Sequence, residues 1–166
     1  MLIMNTTIKE KPHRLAREYY KGTSIVAFTM CIKDRVEIFK NPAVAEIFIS
    51  FLTNLAEKYQ CKIPVYCFMP DHVHMMITGI DSELDLLKVA SSFKQKTGFW
   101  MAKYLSGAKW QKNFYDHVIK RDESLSTHIR YILDNPVRKG IVSNWQEYPF
   151  KGAIGYELED ILHGLM

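Results

Sequence analysis

The chain has 166 residues, of which 48% are hydrophobic and 24% charged, with a net charge of +4 at pH 7. This composition is ordinary for a globular protein, and we expect a single domain over residues 1–166. The chain lacks an apolar run of roughly 20 residues and a signal-peptide pattern at its start, so we expect neither a membrane-spanning helix nor a secretion signal. Three cysteines without a CxxC pair indicate reduced core residues of a cytoplasmic protein.

A basic N-terminal arm is predicted at about residues 1–22, where Lys9, Arg14 and Arg17 accompany two tyrosines. A solvated terminal segment and a nucleic-acid contact explain this charge equally well. Over the whole chain, the basic balance and the 13% aromatic content are compatible with single-stranded nucleic acid as a partner.

The first half of the chain alternates strand-like and helical patterns. Residues 23–32 are apolar and β-branched, which predicts a buried first strand. Asn41-Pro42 then opens a helix whose apolar side chains recur at three- and four-residue steps. Residues 61–68 predict a second strand, in which Pro64 indicates either a sheet edge or a bulge.

The next stretch predicts a helix, a loop and a strand. Residues 81–83 are expected to cap a helix that begins at Leu84 and continues to Tyr104. The basic loop at 106–112 follows, and its Trp110 is expected to be exposed. Residues 113–120 alternate and predict another strand.

A third helix is predicted over residues 122–135, with Pro136 as its stop and a packed loop and short helix after it. The order of the elements is strand, helix, strand, strand, helix, strand, helix. Together with the hairpins this order predicts an α+β fold, in which helices pack on a mostly antiparallel sheet.

Two histidines follow the turn at Pro70-Asp71, which joins the second strand to a third as a hairpin. A strand over 72–78 places His72 and His74 on one face and Val73 on the other. Two imidazoles about 7 Å apart along a strand can bind one metal ion. Because His-x-His also occurs by chance, two half-buried polar residues on a sheet face explain the pattern equally well.

The third helix offers partners for these histidines. Tyr131 and Asn135 are four residues apart, so they project from one face, with His128 one turn earlier. A phenol is almost wholly protonated at neutral pH, and a divalent cation can assist it as a nucleophile that attacks phosphorus. Asn135 can offer a carbonyl oxygen to the same ion. On spacing alone, an ordinary core or surface tyrosine explains Tyr131 better.

Several segments in this order resemble the HUH tyrosine transposases that act on single-stranded DNA, and within them the REP-associated tyrosine transposases. They are Pro70 to His74, Trp110-Gln111 with 114–119, Tyr131 to Val137, and Trp145 to Phe150. Linked motifs in the right order are far more specific than His-x-His alone. The resemblance implies the ferredoxin-like sandwich of that family and a role in DNA transposition or REP-hairpin processing.

By this resemblance, His72, His74 and Asn135 bind Mg²⁺ or Mn²⁺, and Tyr131 attacks a phosphate in single-stranded DNA. The products are a 5′-phosphotyrosine and a free 3′-OH, so a second strand can rejoin without ATP. Imidazole suits Mn²⁺ or a later transition metal better than Mg²⁺, which leaves the identity of the ion open. Related transposases carry Gln at the position of Asn135.

Three neighbouring residues have alternative interpretations. Tyr115 is interpreted as a packing or DNA-stacking residue, since the family places its nucleophile at Tyr131. His117 is expected to act as a conformational or DNA-contact residue rather than as a metal ligand. Asp71 either orients an imidazole or serves only as a turn residue.

Two other classes of protein are alternatives to a transposase. Intact His72, His74, Tyr131 and Asn135 argue against a catalytically inactive nucleic-acid-binding module, and a zinc hydrolase lacks an obvious third ligand and leaves Tyr131 unexplained.

The expected partner is single-stranded DNA with a hairpin, bound by basic and aromatic side chains. The candidate contacts are Lys9, Arg14, Arg17, Lys94, Lys96, Lys109, Trp110, Lys112 and Tyr115. The link from 120 to 125 is short and polar, which leaves little reach for two subunits to exchange helices. We therefore favour a monomer that acts in cis over a homodimer.

Overall fold

The computed structural model describes residues 14–164 and contains a 5-stranded antiparallel sheet of order β4-β1-β3-β2-β5. The strands are β1 (Ile25–Cys31), β2 (Cys61–Met69), β3 (His72–Gly79), β4 (Tyr115–Val118) and β5 (Lys151–Ile154). The helices are α1 (Pro42–Tyr59), α2 (Leu86–Tyr104), α3 (Leu125–Leu133), α4 (Asn135–Arg138) and α5 (Leu158–Leu162). The predicted α+β class is confirmed. Within residues 14–164, none of the helices is both long and apolar enough to span a bilayer.

Strand β3 lies between two apolar cores on opposite faces of the sheet. Val73 and Met75 pack with the buried side chains of α1 and α2. Met76 packs on the other face, with buried residues of α3 and α5. Because side chains alternate along a strand, His72 and His74 share the face of Met76. The two histidines therefore lie on the face that α3 covers.

The starts of the first two helices show what local sequence can and cannot specify. Asn41 caps α1 as predicted, since its side chain accepts a hydrogen bond from the Ala43 amide at 3.1 Å. The start of α2 was predicted too early. Asp81 accepts the amides of Glu83 and Leu84 in a turn, and Asp85 accepts two amides of the first helical turn. Both aspartates form Asx-type contacts, but only one of these begins the helix.

Strand β2 lies in the interior of the sheet, so Pro64 is not at an edge. Its register shifts between Lys62 and Tyr66 against β3 and between Ile63 and Tyr66 against β5, which favours the bulge over the edge. Its partner β5 lies where the sequence predicted a packed loop. The four residues of β5 are all half-buried, so they lack the alternation that would have predicted a strand.

Trp110 was expected to be exposed, and this was wrong. The side chain is only 7% exposed and packs in the α1–α2 core, tilted against Phe39, Phe48 and Phe93. Its Nε1 donates a hydrogen bond to Thr97 Oγ1 at 2.9 Å, which satisfies the indole inside the protein. A buried ring offers no face to a base, so the predicted stacking of Trp110 on DNA is also wrong.

The helix predicted over 122–135 is two helices. Ser124 caps α3 through the Thr127 amide at 3.3 Å, and α3 ends at Leu133. Pro136 was predicted to end the helix, but it lies in the first turn of α4, where a helix tolerates its missing N–H. The preceding strand β4 is also shorter than the predicted 113–120.

Candidate active site

The paired histidines of β3 turn one nitrogen of each ring toward the other. Nε2 of His72 and Nε2 of His74 are 3.2 Å apart, and the two ring planes are perpendicular at 89°. Two nitrogens that each lie about 2.1 Å from one ion, roughly 100° apart, are separated by about 3.2 Å. The pair therefore has the spacing of two ligands on one metal ion.

The outer nitrogens of both rings are held by neighbouring side chains. Asp71 Oδ1 lies 2.6 Å from Nδ1 of His72, and Thr29 Oγ1 lies 2.9 Å from Nδ1 of His74. A carboxylate that accepts the Nδ1 proton leaves the lone pair on Nε2, which is the form that binds a cation. Asp71 was predicted either to orient an imidazole or to serve only as a turn residue. Its contact with His72 is the contact that the first of these roles requires.

Asp71 is itself held by an arginine from a strained turn. Arg35 Nε lies 2.8 Å from Asp71 Oδ2, and the backbone reaches this position through Asp34 and Arg35 at φ of 58° and 56°. Two successive non-glycine residues in the left-handed region store strain. Burial alone raises the pKa of Asp71, but the hydrogen bond and charge of His72, with the charge of Arg35, outweigh it and lower the pKa.

His74 is kept neutral by its surroundings. Burial first, and then the electrostatic influence of His72, Arg138 and Arg35, lower its pKa to about 3. A neutral imidazole is the form that ligates a metal. The influence of Arg138 also shows that α4 brings its charge near the histidine strand.

Tyr131 lies outside the apolar face of α3, as the helical spacing predicts. Its side chain is 61% exposed, whereas Ile129, Ile132 and Leu133 are buried against the sheet. Arg138 covers the ring, with its guanidinium carbon 4.1 Å from the ring centroid, and Nη2 donates to the Tyr131 carbonyl at 2.8 Å. The phenol is thus accessible to a large substrate and has a cation beside it.

Asn135 begins α4 and is 9% exposed. Its Nδ2 donates to the carbonyls of Tyr131 at 3.3 Å and Ile132 at 3.1 Å. Because the amide nitrogen bonds to the helix, the side-chain oxygen is the atom that Asn135 can offer to a cation.

Two of the predicted DNA contacts lie beside the histidine pair. Tyr115 and Lys112 line a cavity of about 80 Å³ together with Thr29, the residue that contacts His74. Tyr115 is directly opposite Thr29 in the sheet, so both side chains are on the face of the histidines.

The predicted DNA-binding arginines make ion pairs within the protein. Arg14 Nε lies 2.8 Å from Asp116, and Arg17 Nη2 lies 2.5 Å from Asp85. Lys94 donates to the carbonyl of Lys112. The lysines at 96, 109 and 112 are exposed, and Lys9 lies outside the described residues.

Three residues of the site were missed from the sequence. Thr29 reaches His74 only through the pairing of β1 with β3, a register that the sequence does not reveal. The contact of Arg35 with Asp71 depends on the left-handed backbone at Asp34 and Arg35, which no sequence pattern predicted. Arg138 lies in α4, beyond the end of α3, so the period of a single helix does not predict its position over the Tyr131 ring.

Comparison with known proteins identifies the class of protein to which this fold and histidine pair belong. The family model described as "Transposase IS200 like" matches residues 20–135. The chain belongs to this family of IS200-like transposases, and it is an enzyme of the DNA transposase class.

Individual relatives agree with the resemblance to the REP-associated branch. A Haemophilus influenzae protein assigned as a REP-associated tyrosine transposase is 26% identical over 147 residues, covering 81% of each chain. The Escherichia coli K12 REP-associated tyrosine transposase is 28% identical over 89 residues, covering 54% of this chain and 52% of its own. A solved REP-associated tyrosine transposase bound to a REP hairpin has the same fold, with a TM-score of 0.72 at 21% identity, over 95% of this chain and 88% of that chain.

Proposed function

We propose that the protein nicks and rejoins single-stranded DNA through a 5′-phosphotyrosine on Tyr131, with a divalent cation bound by His72, His74 and Asn135. The observation that carries this proposal is the 3.2 Å separation of the two Nε2 atoms on the sheet face that the Tyr131 helix covers. Family membership supports a DNA transposase reaction, and the residues of this chain supply its details.

The donor set fits Mg²⁺ or Mn²⁺. Two imidazole nitrogens favour Mn²⁺ of the two, while the amide oxygen of Asn135 suits either ion. Bound there, the ion would stabilise the developing phenolate and polarise the phosphorus under attack. The Asp71 carboxylate orients His72 and adds negative charge behind it, which strengthens the binding of a cation.

The chemistry of Tyr131 is a phosphoryl transfer that conserves the bond energy. The phenol oxygen forms a bond to phosphorus, and the bond from phosphorus to the 3′ oxygen of the preceding nucleotide breaks. The phenol proton leaves, and the departing oxygen gains a proton to become a free 3′-OH. Attack on the phosphotyrosine by the 3′-OH of another strand reverses these steps and releases Tyr131.

Single-stranded DNA with a hairpin is the proposed partner. A relative with the same fold is bound to a REP hairpin. In this chain, the exposed Lys112 lines the same cavity as Tyr115 and Thr29, and Lys109 is exposed in the loop before it. Phosphate contacts of this kind weaken as salt is added, because binding releases counterions.

We propose that a monomer acts in cis. The support is that α3 packs its Ile129, Ile132 and Leu133 against Met76 of its own sheet. A direct test mixes a Tyr131→Phe chain with a His72→Ala chain. No cleavage by the mixture is expected, and recovery of cleavage would show that two chains share one site.

The deciding experiment incubates the protein with labelled, hairpin-containing single-stranded DNA and Mn²⁺, and looks for a covalent adduct on a denaturing gel. Tyr131→Phe should abolish the adduct and leave DNA binding intact. The matched control is Tyr104→Phe, which alters a tyrosine that is 58% exposed on α2. EDTA should also abolish the adduct.

The possible failures of this experiment differ from one another. An adduct that survives Tyr131→Phe but disappears in Tyr115→Phe means that Tyr115 is the nucleophile. Cleavage that persists in EDTA refutes the role of the metal. Hairpin binding without any adduct, over a range of DNA sequences and metals, supports the inactive binding module instead.

A further inference from the structure

A second group of metal-binding side chains lies away from the histidine pair. His117 comes from β4, Glu123 from the β4–α3 connection and His128 from α3. His117 Nε2 is 2.9 Å from Glu123 Oε1, and His128 Nε2 is 3.6 Å from the same oxygen. One donor atom from each residue can be chosen so that all three lie within 4.8 Å of one another.

The 3.6 Å separation between His128 and Glu123 lies in the range expected for two ligands of a zinc-type ion, whereas the 2.9 Å contact of His117 is a hydrogen bond that would lengthen when the ion binds. Donor atoms that each lie about 2.0–2.2 Å from a tetrahedral ion are about 3.3–3.6 Å from one another. Two imidazoles and one carboxylate are also a known set of zinc ligands. The three side chains are 28%, 27% and 33% exposed, so the ion would have a route from solvent.

The carboxylate of Glu123 is already held in place. The backbone amide of Lys120 donates to Oε2 at 2.6 Å, and His117 contacts both carboxylate oxygens, at 2.9 and 3.2 Å. The two imidazoles are tilted by 33° to each other, with their centroids 5.5 Å apart, and both turn Nε2 toward this carboxylate. The three donors are therefore gathered together before any ion binds, with both nitrogens near one carboxylate oxygen.

The group is separate from the proposed catalytic ion. His117 pairs with Ala27, and Ala27 pairs with Met76 on β3. His74 is two residues from Met76, so the backbone positions of His117 and His74 are about 12 Å apart at the usual strand spacing.

We propose that His117, Glu123 and His128 bind a second divalent ion of the zinc class, which fastens helix α3 to the edge strand β4. His128 lies one turn before Tyr131 on α3, so the ion would fix the position of the helix from which that tyrosine projects. The effect on Tyr131 rests on the proposed function, whereas ion binding at the group does not.

The test uses Zn²⁺ alone as the probe and the full-length His72→Ala/His74→Ala double variant, which lacks the first site. Calorimetric titration should show one equivalent of saturable Zn²⁺ binding. Adding Glu123→Gln should raise the Kd by at least about tenfold, because removal of a ligand costs more than loss of an outer contact. The matched controls are Glu46→Gln and His163→Ala, which change exposed residues elsewhere and should leave the Kd unchanged.

Thermal unfolding provides a second readout. At Zn²⁺ concentrations about a hundred times the Kd, the Tm should rise by about 5–10 °C, and Glu123→Gln should remove that rise. If the double variant folds poorly, the wild-type chain gives the same information, with two equivalents of Zn²⁺ falling to one in Glu123→Gln.

The proposal is overturned if the double variant shows no saturable Zn²⁺ binding, or if Glu123→Gln binds Zn²⁺ as tightly as its parent. The proposal is also overturned if the wild-type chain binds only one equivalent of Zn²⁺ and Glu123→Gln does not change that number. None of these measurements uses DNA, so they are independent of whether Tyr131 is the nucleophile.

Discussion

Removal of Arg138 tests how the proposed nucleophile is activated. The guanidinium carbon lies 4.1 Å from the centroid of the Tyr131 ring, and Nη2 donates to the carbonyl of the same residue. Arg138→Ala deletes this cation and leaves the phenol and both histidines in place. We expect slower formation of the covalent adduct, because negative charge that develops on the phenol oxygen loses a neighbouring positive charge.

The size of the effect follows from the distance. A cation centred 4.1 Å above the ring is about 5 Å from the phenol oxygen, where its Coulomb energy is about 3 kcal/mol at an effective dielectric of ~20 and about 1 kcal/mol in water. Arg138 is exposed, so solvent screening favours the lower value. A loss of about 1–1.4 kcal/mol corresponds to a rate roughly five- to tenfold slower.

The assay is single-turnover adduct formation on labelled hairpin DNA at saturating Mn²⁺ and saturating protein. Arg138→Lys should lose less activity than Arg138→Ala, because it keeps the charge but not the planar contact with the ring. The matched control is Arg130→Ala, which removes an exposed arginine from α3. An unchanged rate in Arg138→Ala, or an equal loss in Arg130→Ala, would refute the reasoning.

Three further outcomes are expected. Tyr20→Phe removes the hydroxyl that donates to buried Asp116 at 2.6 Å, and should cost about 1.5–3 kcal/mol. The exposed Tyr19→Phe is its control in urea unfolding, and an equal effect of the two changes would contradict the prediction. Because the pKa of folded His74 is lowered to about 3, the unfolded chain takes up a proton near pH 6.5 while the folded chain does not. Stability in EDTA should therefore fall by up to about 2 kcal/mol between about pH 7.5 and about pH 5, and His74→Gln should show a smaller fall. Asp71→Asn should weaken Mn²⁺ binding by about 10–100-fold, and an unchanged affinity would argue against its orienting role.

The sequence alone predicted the features that depend on neighbouring residues. The cap of α1 by Asn41 and the hairpin turn at Pro70-Asp71 require only residues a few positions apart. The two histidines share a face because strand side chains alternate, whatever the rest of the fold does. Tyr131 lies outside the apolar stripe of its helix for the corresponding reason, the helical period.

Tertiary structure decided the features that depend on strand order and packing. Trp110 lies among basic residues in the sequence, but the aromatic core between α1 and α2 buries it. Strand β5 has no alternating pattern, so only its pairing with the interior strand β2 makes it a strand.

The surroundings of the candidate site belong to this second group. Thr29 contacts His74 across 45 positions of sequence, and His117 meets His128 because β4 pairs with β1 at the edge of the sheet. A sequence specifies which residues can act as donors and which face each one shares with its neighbours. The register of distant strands determines which donors meet, because a shift of a single residue would turn each side chain to the opposite face of the sheet.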